Sequence, residues 1–258
     1  WPLPLEKLRA LHDLIERELQ CNHIEESTSP WNTPVFVIKK KDKSKFRFLH
    51  DLRAVNRQME DMGPLQPGLP IASAIPVHWP VVVMDIKDCF FSIPLHPEDC
   101  QRFAFSIPSI NLQEPAKRYQ WRVLPQGMKN SPVICQKTVV RVLQPVRDNY
   151  PQATIIHYMD DILISTSSKE RLSQLETAVK EHLTMAGLDI QEAKTQQGDK
   201  IHYLGSVIQG PKVYPQEIRL ETDIKTLHDA QKLVGSLQWL RNAIGIPPYI
   251  MAPLYDLL

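Results

Sequence analysis

The residues of this chain best suited to chemistry are acids delivered by apolar runs. In Ile155-Ile156-His157-Tyr158-Met159-Asp160-Asp161-Ile162-Leu163-Ile164, two adjacent carboxylates separate two short, β-branched stretches. Such runs read as strands, and the polar residues between them as the turn of a hairpin. Asp160 and Asp161 then stand at the tip of a mostly buried hairpin, where ionised carboxylates are costly unless a cation or donor compensates them. Asp also favours turns for its own sake, so the hairpin alone fits two ordinary turn residues equally well. A second acid shifts that balance. Val81-Val82-Val83-Met84-Asp85 again ends a β-branched run in a carboxylate. If both strands share a sheet, Asp85 lies beside the tip. Three converging carboxylates make a hard oxygen site suited to Mg²⁺. A pair of such ions clamps the attacking and leaving oxygens of an in-line displacement at phosphorus. The chemistry implied is metal-assisted phosphoryl transfer.

Positioning three acids from distant stretches needs a core, and 258 residues with 43% hydrophobic and 23% charged content can bury one. No apolar run approaches the roughly 18 residues of a membrane span, and no secretory signal is visible. The chain begins at Trp1 rather than Met, which suggests a piece excised from a longer polypeptide. Cys21, Cys89, Cys100 and Cys135 lack zinc-like or CxxC spacing and read as reduced, mostly buried thiols. The net charge of +1 does not by itself point to nucleic acid, and its distribution is more informative. Lys39, Lys40, Lys41, Lys43, Lys45 and Arg47 face Asp42 alone, between the strand-like runs Val35–Ile38 and Phe46–Leu49. That pattern predicts a β-hairpin with a basic tip, whose bland alternative is a solvated charged face.

Leu8, Leu11, Ile15 and Leu19 predict an amphipathic helix docked on the body of the domain. Pro64, Pro67, Pro70, Pro76 and Pro80 predict an extended connection. Strands are expected around Arg102–Phe105 and Tyr119–Val123. Ser131 as N-cap with Pro132 at the first helical position predicts a buried helix to Val146. Ser167 with Glu170 reads as a capping box opening a helix over Leu172, Leu175, Val179 and Leu183 that Gly187 terminates. Both helices read as scaffold with no chemistry of their own. Leu233, Leu237, Leu240 and Ile244 predict the apolar stripe of a last helix, with Gln231, Gly235, Gln238 and Trp239 on another face.

Taken together these motifs resemble a known family. Tyr158-Met159-Asp160-Asp161 resembles the catalytic hairpin of reverse transcriptases, and Asp85 with Asp88-Cys89-Phe90-Phe91 the family's first catalytic strand. Leu124-Pro125-Gln126-Gly127 resembles its substrate-binding turn, and Gln231-Lys232-Leu233-Val234-Gly235 with Trp239 its thumb helix. The resemblance runs from Trp1 to about Leu258 and is of the retroviral type, in the group of alpha- and betaretroviruses and K-type endogenous retroviruses. It implies an α+β right-hand polymerase fold, with an antiparallel palm sheet packed on helices. Residues 1–60 and 93–130 would form the fingers, 61–92 and 131–211 the palm, and 212–258 a partial thumb. It implies RNA- or DNA-directed DNA synthesis from dNTPs on a primed template, with two Mg²⁺ ions (Mn²⁺ as the alternative). No ribonuclease H segment of the family follows.

The resemblance also assigns roles. Asp85, Asp160 and Asp161 gather the metals, with Asp161 serving as much to organise the site as to ligate. Lys40 and Arg47 hold the triphosphate, the ammonium as a point charge and the guanidinium by bidentate hydrogen bonds. Asp88 contributes through its backbone, and Cys89 and Met159 belong to the same nucleotide site. Phe90 excludes a ribose 2′-hydroxyl, the group that separates RNA from DNA precursors, and Gln126 packs on the incoming sugar and base. Lys194 lies near the pyrophosphate as a general acid. Tyr158, Leu204 and Gly205 contact the primer, and Gln231, Gly235 and Trp239 lie along the duplex minor groove. Asp51 and Arg53 either support the fingers or touch template. Implied partners are primed template, dNTPs and a homo- or heterodimer with longer Pol products, in the virion core and host cytoplasm. A silent scaffolding subunit, a metal-dependent nuclease using the same acids, and a domesticated nucleic-acid binder remain the alternatives.

Overall fold

The structure, a computed structural model, describes residues 3–40, 45–65, 70, 74–111, 114–217, 220, 223–256 and 258, and for residues 239 and 241–244 the backbone alone. In chain order the elements are α1 (Leu5–Gln20), β1 (Ile24–Glu26), β2 (Val35–Lys39), β3 (Phe46–His50), α2 (Arg53–Gln58) and β4 (Val81–Asp85). There follow α3 (Pro97–Cys100), β5 (Ala104–Ile107), β6 (Lys117–Trp121), α4 (Ser131–Asn149), β7 (Thr154–Tyr158), β8 (Asp161–Ser165) and α5 (Lys169–Met185). The chain closes with β9 (Gln196–Gln197), β10 (Lys200–Tyr203), β11 (Ser206–Gln209), β12 (Lys212–Pro215), α6 (Leu227–Ile244) and α7 (Pro248–Tyr255). Among the described residues no helix is long and apolar enough to cross a membrane.

The acids belong to a four-stranded antiparallel sheet of order β7-β8-β4-β9. Its central strands read as unbroken apolar runs because both faces are covered, and side chains alternate between them. Val82, Met84, Ile162 and Ile164 join the main core with Val139, Leu143, Leu175 and Val179 of α4 and α5. Val81, Val83 and Leu163 point the other way, into a second cluster with Ile201, Tyr203 and Ile208 of the β10-β11-β12 sheet. Burying each such side chain contributes roughly 1.5–3 kcal/mol, so the register of β4 on β8 is strongly fixed. A one-residue slip would exchange the two faces.

The basic stretch lies where expected, in the two-stranded sheet β2-β3; residues 41–44 at its tip lie outside the described residues. A third sheet, β1-β6-β5, joins the amino-terminal segment to residues 104–121. The amphipathic helix is α1, with Leu8, Leu11 and Ile15 buried. Of the proline-rich stretch, 61–65 and 74–80 carry neither α-helix nor strand, and 66–69 and 71–73 lie outside the described residues. Cys89, Cys100 and Cys135 are buried free thiols and Cys21 is an exposed one.

Two helix starts differ from expectation. α4 begins at Ser131 itself, with Asn130 as N-cap. The Ser131 hydroxyl is buried and donates to the Pro125 carbonyl at 3.0 Å, while the Asn130 amide donates to Glu60 O at 2.9 Å. Tertiary partners outbid the local cap at both residues. α5 begins one residue late, so Ser168 rather than Ser167 is the cap, its hydroxyl accepting from Arg171 N at 3.2 Å. Gly187 ends α5 as predicted, with φ +74 and Leu188 N donating back to Leu183 O at 2.9 Å. In α6 the most buried residues are Ala230 and Val234, with Leu233, Leu237 and Leu240 half-buried. The buried stripe is therefore rotated from the predicted leucine line. The Ile244 and Trp239 side chains lie outside the described residues.

Candidate active site

β4 delivers Asp85 at its last residue, and the register of β4 on β8 sets it opposite Asp161. β7 and β8 pair from Thr154↔Ser165 to Tyr158↔Asp161, leaving Met159 and Asp160 as a two-residue hairpin loop. Met159 has φ +56, a left-handed conformation at a loop position where glycine is the usual occupant. A non-glycine residue held there costs on the order of 1–3 kcal/mol and persists only where the surroundings enforce it. Here the enforcer is Gln136 of α4, 5% exposed, whose side-chain oxygen accepts from Met159 N at 2.6 Å. α4 thereby supports the loop as scaffold, through a contact the sequence reading did not anticipate; the signal available was an amide among Val133, Cys135 and Val139 on a buried helix face.

Backbone bonds bind the cluster further. Ile86 N donates to Asp160 O, and Gln191 N to Asp85 O, both at 2.8 Å. The second of these brings in a short 3-10 turn, Glu192–Lys194. From it Lys194 donates to both Asp85 carboxylate oxygens, at 2.9 and 3.0 Å, and this ion pair raises the Lys194 pKa. Burial is the main cause that pushes the Asp161 carboxyl up to about 6, with the charges on Asp160 and Asp85 adding to it and Lys194 opposing. Asp160 is raised as well, first by burial and then by Asp85. Crowded, half-buried carboxylates of this kind favour a proton or a cation.

That electrostatic demand, and a donor set of hard oxygens at one sheet end, fit a divalent cation in kind. Among the described residues, no group of three His, Cys, Asp or Glu side chains is closed around a common point that could hold an ion. The Asp85 carboxylate is turned to Lys194 instead.

Around the acids the predicted nucleotide-site residues separate into near and far. Asp88, at φ +47, caps a 3-10 turn, Cys89–Ser92, that follows β4 directly. Cys89 is buried and Phe90 half-buried, while Phe91 stacks on Trp121 with ring centroids 5.4 Å apart. Tyr158 is half-buried beside the loop. Gln126 is exposed on a turn completed by Gly127 at φ +93. Asn56 straps that turn to α2, donating to Gly127 O and accepting from Lys129 N, both at 2.8 Å.

Arg47 belongs to the separate β2-β3 sheet, and Lys40 directly follows β2. Arg47 is the register partner of Ile38, and Lys40 lies two residues on, so both basic residues share the exposed face with Phe36 and Ile38. Neither has an ion-pair partner among the described residues, whereas Lys39 on the other face pairs with Glu6 at 2.9 Å. Asp51 accepts from Arg53 Nε and Nη2 at 2.9 and 2.7 Å, an arrangement that ties the two to each other at the start of α2. Leu204 (φ +42) and Gly205 (φ +76) form the tight turn between β10 and β11. On α6, Gln231, Gly235 and Gln238 are exposed as expected. A Cβ on Gly235 would meet nothing within 4 Å, so no close approach within this chain requires glycine there. The structure thus gathers Asp85, Asp160, Asp161 and Lys194 into one cluster, with Met159 and Cys89 against it; the remaining residues stand on other elements.

Comparison with known proteins follows the same lines. A family model described as reverse transcriptase (RNA-dependent DNA polymerase) matches residues 38–208, and one described as reverse transcriptase thumb domain matches residues 215–258. The chain is 50% identical over 259 residues to the Gag-Pro-Pol polyprotein of mouse mammary tumor virus (strain BR6), covering 100% of the chain and 15% of the polyprotein. Identity is 51% over 260 residues to the Gag-Pro-Pol polyprotein of sheep pulmonary adenomatosis virus, with the same coverage of each. It is 52% over 258 residues to the Gag-Pol polyprotein of Rous sarcoma virus subgroup C (strain Prague), covering 100% and 16%. The chain therefore spans about 15% of the length of these relatives.

Proposed function

The chain belongs to the reverse transcriptase (RNA-dependent DNA polymerase) family, and from that premise we propose that it catalyses template-directed DNA synthesis. In this reading a primer 3′-hydroxyl attacks the α-phosphorus of a dNTP on an RNA or DNA template, and pyrophosphate leaves. The observation that carries it is the pairing of Asp85 with Asp161 at one sheet end, beside Asp160 on a strained loop.

The family generally uses divalent metal ions; two Mg²⁺, or Mn²⁺, held by Asp85, Asp160 and Asp161, would supply charge neutralisation and an acidified 3′-hydroxyl. The protein's own residues do the rest. Lys194, released from Asp85, offers its ammonium to the departing pyrophosphate, where a cation or proton lowers the barrier. Lys40 and Arg47, on one exposed face without described ion-pair partners, are free to hold the triphosphate. Asp88 presents backbone N–H groups of the following turn, with Cys89 beneath it. Phe90 sits at the edge of that turn as the barrier to a 2′-hydroxyl, and Gln126 and Met159 flank the base and sugar. Tyr158, Leu204 and Gly205 seat the primer terminus, and the exposed Gln231 and Gly235, with Trp239, follow the minor groove.

The right-hand arrangement is part of this reading. Residues 1–60 and 93–130 make the fingers, an assignment supported by β1 pairing with β6. Residues 61–92 and 131–211 make the palm, supported by Asp85 and Asp161 lying on paired strands of one sheet with Asp160 in its hairpin loop, and 212–258 a partial thumb. A primed template, dNTPs and dimerisation with longer Pol products belong to the proposal, as does action in the virion core and host cytoplasm.

Primer extension on an RNA template, with the chain compared to Asp160→Asn, tests it. Extension should fall by about 10³-fold while primer–template affinity stays within about threefold; undiminished extension would overturn the assignment. In Phe90→Val, ribonucleotide incorporation should rise by at least about tenfold, and unchanged sugar discrimination would remove Phe90 from its steric role.

A further inference from the structure

Beneath the acids lies a pair of thiols whose sulfur chemistry the proposed reaction does not use. Cys89, first residue of the turn that carries Phe90, and Cys135 of α4 are 4% and 0% exposed. Their Sγ atoms are 2.6 Å apart across a sequence separation of 46 residues. That is well inside ordinary sulfur contact and close to the bonded separation of about 2.05 Å. Each thiol also adjoins a residue of the proposed site or of its support. Phe90 follows Cys89, and Cys135 precedes Gln136, the residue that holds Met159 in its left-handed loop conformation.

We propose that Cys89 and Cys135 are an oxidation site, converted by peroxide to a disulfide that locks the Phe90 turn onto the helix supporting the Asp160 loop. The stoichiometry closes with hydrogen peroxide as oxidant. One thiol sulfur attacks a peroxide oxygen, giving a sulfenic acid and one water. The partner sulfur then displaces the sulfenic hydroxyl, which takes the partner's proton and leaves as a second water. Two thiols lose two electrons and two protons in total, and the peroxide is reduced to two waters. The hydrogen bond with the adjacent Cys135 thiol, then burial and the nearby carboxylates, hold Cys89 in its protonated form, so the first step is slow and the dithiol persists in reducing surroundings. Once a sulfenic acid forms, its partner is already in contact and captures it ahead of further oxidation. Cys21 is exposed and Cys100 lies in α3, on a different element from the pair.

The site is tested on the full chain treated with hydrogen peroxide, blocked with iodoacetamide under denaturing conditions and digested without reductant. A peptide containing Cys89 linked to one containing Cys135, two hydrogens lighter than the separate pair and lost on dithiothreitol treatment, is expected. Recovery of both cysteines as alkylated thiols, or as separate sulfinic acids, overturns the proposal. This readout is independent of polymerisation, so it stands or falls apart from the proposed function. For the consequence, which rests on that reading, oxidised chain should extend primers at least tenfold more slowly and recover with dithiothreitol, while Cys135→Ala keeps its own rate through the same treatment. A rate unchanged by the bond, or equal peroxide sensitivity in Cys135→Ala, overturns the locking role. If Cys135→Ala fails to fold, the loss and dithiothreitol recovery of the natural chain, read beside its peptide map, decide the question.

Discussion

The acid-bearing sheet and the basic hairpin both bury polar groups, and they do so in opposite ways. At the hairpin, His50 of β3 is 9% exposed, yet both ring nitrogens are paired. Its Nδ1 accepts from the Trp121 indole at 3.1 Å, and its Nε2 meets the Thr33 hydroxyl at 2.5 Å. That hydroxyl in turn reaches the Ala104 carbonyl at 3.3 Å. An acceptor role for Nδ1 leaves the proton on Nε2, so the ring is neutral, and burial lowers its pKa to about 4. At the acid sheet, Asp85 pairs with Lys194 while Asp160 and Asp161 lie beside that pair, Met159 is held at positive φ, and His157 Nε2 is buried without a partner among the described residues. The first region is satisfied and rigid. The second carries repulsion and strain, the kind of electrostatic tension that clusters at functional sites.

The strongest way to break this contrast is to remove what holds the strain. In Gln136→Leu, Met159 N loses its acceptor, and extension should fall about 10–100-fold, corresponding to roughly 1.4–2.7 kcal/mol. Single-turnover extension measures it. Full activity would mean that the loop holds its shape unaided. Next comes the satisfied region. Trp121→Phe strips the donor from His50 Nδ1 and leaves space in the core, and should cost about 2–3 kcal/mol. Thermal melting should show a loss of about 5–10 °C, and a melting point within one degree of the parent would refute the structural role of the network.

The dependence on pH tests the sign of the difference. For Asp161 the folded pKa is raised to about 6 from the ordinary carboxyl value of 3.8. Its ionised form therefore opposes folding at neutral pH, and that penalty fades as pH falls from about 6 to 4. Discounted for half exposure, it amounts to about 1 kcal/mol. In EDTA at pH 7.5, Asp161→Asn should melt about 2–4 °C higher than the parent, with the gap closing by pH 4. His50 acts oppositely. Its folded pKa lies below the unfolded value, so its contribution is complete above about 6.5 and is lost as pH falls toward 4. Hydrogen exchange resolved by segment should then show β2-β3 loosening in acid by up to about 3 kcal/mol, with no matching loss around Asp161. Parallel loosening of both would erase the distinction.

Much of the local structure was legible in advance. The apolar runs before Asp85 and on either side of Asp160 became β4, β7 and β8, because two-faced burial demands unbroken hydrophobic strands. The basic hairpin and the Gly187 terminator followed from residue chemistry in the same way. The misses share a cause. Ser131 and Ser167 have the right hydroxyls for capping, yet distant carbonyls and a one-residue offset decided their use. The stripe on α6 was misjudged because a helix's buried face depends on its neighbour. Gln136 was passed over because nothing in α4 says which loop its amide will meet.

The sequence by itself therefore determined which stretches are strands, where each ends in an acid, and which family the motifs resemble; these are properties of neighbouring residues and of spacing along the chain. Only the tertiary structure decided that Asp85 faces Asp161, that Lys194 reaches Asp85 across 109 residues, and that two cysteines touch beneath them. Contacts between distant residues are fixed by register and by how two hydrophobic faces close, and those are settled by the whole core at once.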